Sequence, residues 1–349
     1  MKNQVQLISY IDRFGQGNLS EFHSYLTQNL KTYLPGGVHL LPFFSNIDGA
    51  DAGYDPINHK EIDPRLGNWN DVAALSKDFD LTVDLIVNHI SDASPEFQNV
   101  EENGRNSPYF DLFLTKDKVF INGASEADIK AIYRPRPNSP FSLRKLRNGE
   151  SYEFWTTFSE HQLEIDIKCP NGVQYIESII KQFAAAGIKM IRLDAVGYAI
   201  KKAGTSCFML PETLDYISEI TALVHSYGME VLAEIHSHYE TQIEISKRVD
   251  YVYDFALPPL ILYTLFSKNT IRLKQWLAIS PRNCITVLDT HDGIGVADVA
   301  STPDKPGMLS DAEIDELVET VHRNSKGTSK KATGNAASNL DIYQINSTF

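Results

Sequence analysis

The stretch Ile191-Arg192-Leu193-Asp194-Ala195-Val196-Gly197 decides how the chain is read. It is a short apolar run that carries an arginine and a carboxylate two positions apart. Side chains alternate across a strand, so Arg192 and Asp194 share one face while Ile191 and Leu193 pack on the other. Two opposite charges therefore enter a predicted interior. A buried charge costs several kcal/mol unless it is paired and hydrogen-bonded. Such a pair is either a structural bridge near a strand end or a reactive carboxylate held by an arginine, and the stretch alone leaves both open.

Working outward, strand-like runs recur at residues 5–10, 38–43, 81–88, 189–194, 230–234, 251–255 and 284–289. Helix-period segments separate most of them, as parallel β/α units require. Ile176, Ile179, Ile180 and Phe183 fall on one helical face, with Gly187 where a C-terminal cap belongs. Leu214, Ile217, Ile220 and Val224 repeat the pattern up to Gly228. Ser310-Asp311-Ala312-Glu313 has capping-box spacing ahead of Ile314, Leu317, Val318 and Val321. One interval breaks the rhythm: between Asn88 and Lys189 a single helix, 173–186, follows an irregular stretch, 91–170, that contains Pro, Asn and Gly. A structureless loop of that length is improbable, which predicts a small domain inserted after the third strand. The expectation is an α/β protein, a (β/α)8 TIM barrel lacking its last unit. Its first part spans 1–90, the inserted domain 91–168 and the incomplete continuation 169–349.

Bulk properties narrow the class. Hydrophobic residues at 42% and charged residues at 22% describe an ordinary globular protein. The net charge of -13 comes without a basic patch interleaved with aromatics, which argues against nucleic acid. Cys169, Cys207 and Cys284 are odd in number and contain no CxxC pair, so neither a disulfide framework nor a zinc cluster is expected. The chain runs from Met1 almost directly into a strand and has no apolar run of about 18 residues, so a cytoplasmic protein without a membrane partner is expected. A homodimer is one assembly compatible with the sequence.

Barrel enzymes place their chemistry at the C-terminal ends of the strands. Those ends carry Asp51 and Tyr54, Asn88 and His89, Arg192 and Asp194, Glu234 and His236, and His291 and Asp292. A lone carboxylate at a strand end is more often a cap or a surface charge. Asp194, Glu234 and Asp292 together supply a nucleophile, a proton donor and a charge stabiliser, the equipment of glycosidic bond chemistry. In the retaining form two carboxyl groups stand about 5 to 5.5 Å apart, one attacking and one protonating. A metal centre is the competing use, drawing on His39, His89, His236, His238, His291 and Asp292. His236-Ser237-His238 would put both imidazoles on one face of an extended strand. No HExxH motif accompanies it, so no metal is expected, and the lack of GxGxxG or a P-loop argues against an organic cofactor. Cys207 and Met209 read as packing residues of the loop after strand four.

At this point five ordered motifs can be set together: Asp51-Ala52-Gly53-Tyr54-Asp55-Pro56, Val87-Asn88-His89, Ile191-Arg192-Leu193-Asp194-Ala195, Leu232-Ala233-Glu234-Ile235-His236 and Leu288-Asp289-Thr290-His291-Asp292. The series resembles that of the α-amylase superfamily, glycoside hydrolase family 13. Gly36-Gly37-Val38-His39-Leu40-Leu41-Pro42-Phe43-Phe44, Ile132-Tyr133-Arg134-Pro135-Arg136-Pro137, Ala203-Gly204-Thr205-Ser206-Cys207-Phe208, Tyr253-Asp254-Phe255-Ala256-Leu257-Pro258-Pro259 and Asn339-Leu340-Asp341-Ile342-Tyr343-Gln344 resemble the branch that splits sucrose with inorganic phosphate.

The resemblance implies Asp194 as the nucleophile that forms a β-glucosyl enzyme, Glu234 as general acid and then base, and Asp292 as transition-state stabiliser. It implies Asp51, Tyr54, His89, Arg192 and His291 as substrate-binding residues, most of them on the glucosyl ring. Arg136 matches the phosphate arginine, with Tyr343 nearby. Tyr133, Pro135, Tyr198, His236, Asp341 and Gln344 match the fructose or acceptor subsite. Sucrose and phosphate would then be substrates, glucose 1-phosphate and fructose products, and no cofactor or metal would be needed. The alternatives are a hydrolase such as an α-glucosidase, a transglucosylase, a phosphorylase of sucrose 6-phosphate, glucosylglycerol or glucosylglycerate, or a non-catalytic barrel. The presence of all three carboxylates disfavours the last. The chain reaches Phe349 inside a helix expected after Tyr343-Gln344, ahead of an eighth strand and a C-terminal β-domain carried by the superfamily. The expectation is a fragment that is poorly stable and inactive alone, since an unclosed barrel exposes a sheet edge.

Overall fold

The computed structural model describes residues 2, 4–48, 50–136, 138–288, 292–331, 344–345 and 347. Seven parallel strands follow one another in chain order: β1 (Gln6–Ser9), β2 (Gly37–Leu40), β3 (Leu81–Ile86), β4 (Met190–Asp194), β5 (Glu230–Ala233), β6 (Tyr251–Asp254) and β7 (Cys284–Thr286). Helices intervene, which is the α/β barrel order expected from the sequence. Every residue of β2 and β3 is buried, as a parallel strand covered on both faces requires. The chain divides into two compact units, 1–132 with 138–232, and 133–137 with 233–349.

In the first unit, register sets the polar positions. Ile8 stands opposite His39, His39 opposite Thr82, Asp84 opposite Arg192, and Ile86 opposite Asp194. The tight entry to β2 explains Gly37: with φ at 111°, a Cβ there would lie 2.1 Å from the Asp80 carbonyl oxygen. The helix Pro170–Ala185 starts with Pro at its first turn and with the Cys169 sulfur accepting from the Gly172 amide at 3.1 Å. It buries Ile176, Ile179, Ile180 and Phe183, each contributing about 1.5–3 kcal/mol. Gly187 then takes φ 82°, and Gly228 takes φ 76° after the helix Pro211–Ser226.

The interval between β3 and β4 holds more regular structure than the single helix expected. Pro95–Asn103 is a helix capped by Ser94, Phe141–Lys145 pairs antiparallel with Ser151–Trp155, and His89–Ser91 pairs with Gln162–Glu164. Leu114, Phe120, Ile132, Phe141 and Trp155 form an apolar cluster that also takes in Cys207. Cys207 is thus a packing residue.

The second unit contains β6 and β7, with Tyr253 opposite Ile285. Its core gathers Leu260, Trp276, Ile294, Val299, Leu309, Leu317, Val318 and Val321. The helix Asp311–Asn324 carries the capping box that the sequence predicted, Ser310 accepting from the Glu313 amide and Glu313 from the Ser310 amide. One expectation is corrected here. β5 ends at Ala233, so His236 and His238 do not share a strand face; His238 caps the helix Tyr239–Ile245. Gln344–Ile345 is a short strand antiparallel to Ile294–Gly295, and the helix expected after Tyr343-Gln344 falls mostly outside the described residues. No helix among the described residues is long and apolar enough to cross a membrane.

Candidate active site

In the first unit the opening pair acquires a third member. Arg192, with a side chain 2% exposed, donates from Nη1 to Asp194 Oδ1 at 3.0 Å and to Asp84 Oδ1 at 2.5 Å. It also donates to the Tyr54 hydroxyl at 3.3 Å, and its guanidinium carbon lies 5.7 Å from the Tyr54 ring centroid. His39 Nε2 stands 3.1 Å from Asp84 Oδ2. The strand register dictates this chain of contacts, because His39, Asp84 and Arg192 come from adjacent parallel strands. Asp194 remains 14% exposed at the strand end. The residue after it, Ala195, takes the left-handed conformation at φ 53°, which turns the backbone into the short helix Val196–Tyr198. For a residue with a Cβ this costs about 1–2 kcal/mol.

Other predicted residues gather in the same unit. His89 Nε2 contacts the Tyr54 carbonyl at 2.7 Å, and Gln162 Nε2 donates to both that carbonyl and Asp51 Oδ2, at 3.1 and 3.2 Å. Asp51 and Ala52 occupy left-handed backbone at φ 63° and 53°. Asp55 is pushed up to about 7, first by burial and then by the Asp51 charge. Tyr198 lies between Phe158 and Phe208, with centroids at 4.9 and 4.6 Å. Lys201 anchors the same turn through the Tyr198 carbonyl at 2.7 Å and the buried Glu164 carboxylate at 2.6 Å.

The second unit brings together Glu234, His236 and Asp292, each offering a donor or acceptor atom within 4.8 Å of the others. His236 Nε2 lies 3.7 Å from Glu234 Oε1 and 3.2 Å from the Gln344 amide. Its Nδ1 contacts Asp298 at 2.8 Å, and Phe255 stacks on the ring with centroids 3.9 Å apart. Burial opposes ionisation of His236, yet the Asp298 charge and hydrogen bond, followed by Glu234 and Asp292, push it up to about 9. Tyr133, Pro135 and Arg136 are half-buried in the same unit, Tyr133 being pushed up to about 12 by burial and by Asp298. His291, Asp341 and Tyr343 lie outside the described residues.

Sequence reasoning missed Asp84, Gln162 and Asp298, and weighed His39 only as a metal ligand. Asp84 carried a usable signal: like Asp194, it is a carboxylate inside an apolar strand. Gln162 and Asp298 carried none beyond their residue type.

Comparison with known proteins identifies the family. The family model for alpha amylase, catalytic domain, matches residues 25–274. The sucrose phosphorylase of Agrobacterium vitis is 53% identical over 350 aligned positions, covering 100% of this chain and 72% of that protein. That of Bifidobacterium adolescentis is 49% identical over 355, covering 100% and 69%. The crystal structure of sucrose 6F-phosphate phosphorylase from Thermoanaerobacter thermosaccharolyticum matches with a TM-score of 0.89 at 36% identity, over 99% of this chain and 69% of that one. The chain therefore belongs to the α-amylase catalytic-domain family.

Proposed function

We propose that the protein is a retaining phosphorylase that converts sucrose and inorganic phosphate into α-glucose 1-phosphate and fructose. The observation that carries this reading is the similarity to sucrose phosphorylases sustained over the whole chain, with Asp194, Glu234 and Asp292 all present. Asp194 attacks the anomeric carbon while Glu234 protonates the departing fructosyl oxygen, giving a β-glucosyl ester. Phosphate then attacks the same carbon, Glu234 takes its proton, and the ester bond to Asp194 breaks. Asp292 stabilises the positive charge that grows at the anomeric carbon. The contact from Arg192 supports the nucleophile assignment, since a guanidinium favours an ionised carboxylate partner.

Asp51, Tyr54, His89, Arg192 and His291 hold the glucosyl ring in this reading. Arg136 and Tyr343 take phosphate, because a guanidinium fork suits an oxyanion. Tyr133, Pro135, Tyr198, His236, Asp341 and Gln344 line the acceptor side. We read 91–168 as an inserted domain, which the apolar cluster around Phe120 and Trp155 supports. A cytoplasmic setting is supported by three free cysteines.

Product analysis tests the function. Incubation with sucrose and phosphate should yield glucose 1-phosphate and fructose in equal amounts, and Glu234→Gln should lower the rate about 10²–10⁴-fold. Glucose release independent of phosphate would favour a hydrolase, and faster turnover of sucrose 6-phosphate would move the substrate assignment to that relative.

A further inference from the structure

Asp298 has no role in the reaction as described so far, although its side chain is fully buried. Its Oδ2 accepts from His236 Nδ1 at 2.8 Å. Its Oδ1 accepts from Gln242 Nε2 at 2.7 Å and from the Ser237 amide at 3.2 Å. Gly295 leaves room for this arrangement: a Cβ there would lie 2.2 Å from Asp298 Oδ2 and 2.9 Å from His236 Nδ1. With Phe255 on one face of the ring, His236 has a single orientation, which turns Nε2 toward Glu234 and Gln344.

We infer that Asp298 is a positioning residue that holds His236 as an imidazolium with its Nε2–H directed toward the acceptor side of the reaction. Three carboxylates face the ring, Asp298, Glu234 and Asp292, while Gln242 and Gln344 are neutral. Tyr133 and Asp254 sense Asp298 rather than the ring. With both ring nitrogens protonated, the Gln344 amide must turn its oxygen toward Nε2–H, an orientation fixed by hydrogen-bond logic rather than by nitrogen and oxygen positions. When substrate displaces the Gln344 oxygen, the Nε2–H offers a cationic donor to the fructosyl oxygen or to phosphate. This last step rests on the phosphorylase reading; the charge state of His236 does not.

The pH dependence has a definite sign. A histidine raised from 6.5 to about 9 contributes stability that is fully present below pH 6.5 and is lost as pH rises through 9. Titration of ¹⁵N-histidine-labelled protein by NMR, with the His236 signal identified from the His236→Gln variant, reads this directly. His236 should stay charged through neutral pH in the native protein and titrate below about pH 7 in Asp298→Asn. Phosphorolysis at pH 7.5 should fall about 10-fold in that variant, through KM for phosphate or sucrose more than through kcat, and its alkaline limb should move toward neutrality. A neutral His236 at pH 7 in the native protein overturns the inference even if the variant fails to fold. So does an unmoved titration in the variant, or an unchanged rate and pH profile despite a neutral ring. Lack of phosphorolysis by the native protein would instead count against the function, leaving the titration to decide the role of Asp298.

Discussion

Arg192 shows how residue-scale physics joins stability to chemistry. Its charge is withdrawn from water and met by Asp84 and Asp194, while Asp84 is shared with His39. Removing the cation leaves two carboxylates facing each other in a desolvated space. Arg192→Met should therefore destabilise the protein by about 3–5 kcal/mol, measured as a lower urea midpoint, and a loss under about 1 kcal/mol would contradict the pairing. The Arg192–Asp194 contact was legible in the sequence because strand alternation puts positions two apart on one face. Asp84 was not paired with it because its partner lies 108 residues away, and only the parallel register brings the two together. Asp298 was hidden for the same reason, standing 62 residues from His236.

At the scale of elements, what could be read depended on periodicity. Long helices with four apolar positions on one face announced themselves, as Pro170–Ala185 and Asp311–Asn324 did. Pro95–Asn103 buries only Phe97 and Val100, too little for a periodic signal, though Ser94-Pro95-Glu96 is a usable start signal. The strand Gln344–Ile345 has two residues, and its existence depends on a partner at Ile294–Gly295. The turn after β4 shows how an element serves a site. A Cβ on Gly197 would lie 2.9 Å from the Phe208 ring and 3.2 Å from the Met209 sulfur, so glycine lets Phe208 close against Tyr198. Gly197→Ala should displace Phe208 at a cost of about 1–3 kcal/mol and raise KM for sucrose several-fold. Steady-state kinetics checks this, and an unchanged KM would show that the Phe208 contact does not position Tyr198.

For the molecule as a whole, the net charge of -13 gives no general attraction for phosphate, so local cations must supply it. Arg136 and the His236 imidazolium are the groups assigned to that task. The barrel order was legible because seven apolar runs alternate with helical segments, and the division of chemistry among strand ends followed from it. The central claim is that Asp194 carries the glucosyl group. α-Glucosyl fluoride needs no proton donor to leave, so Glu234→Gln should accept its glucosyl group and then stall for want of a base. Peptide mass spectrometry of that variant should find one glucosyl residue esterified to Asp194. A glucosyl group on another residue, or turnover that persists in Asp194→Asn, would contradict the account.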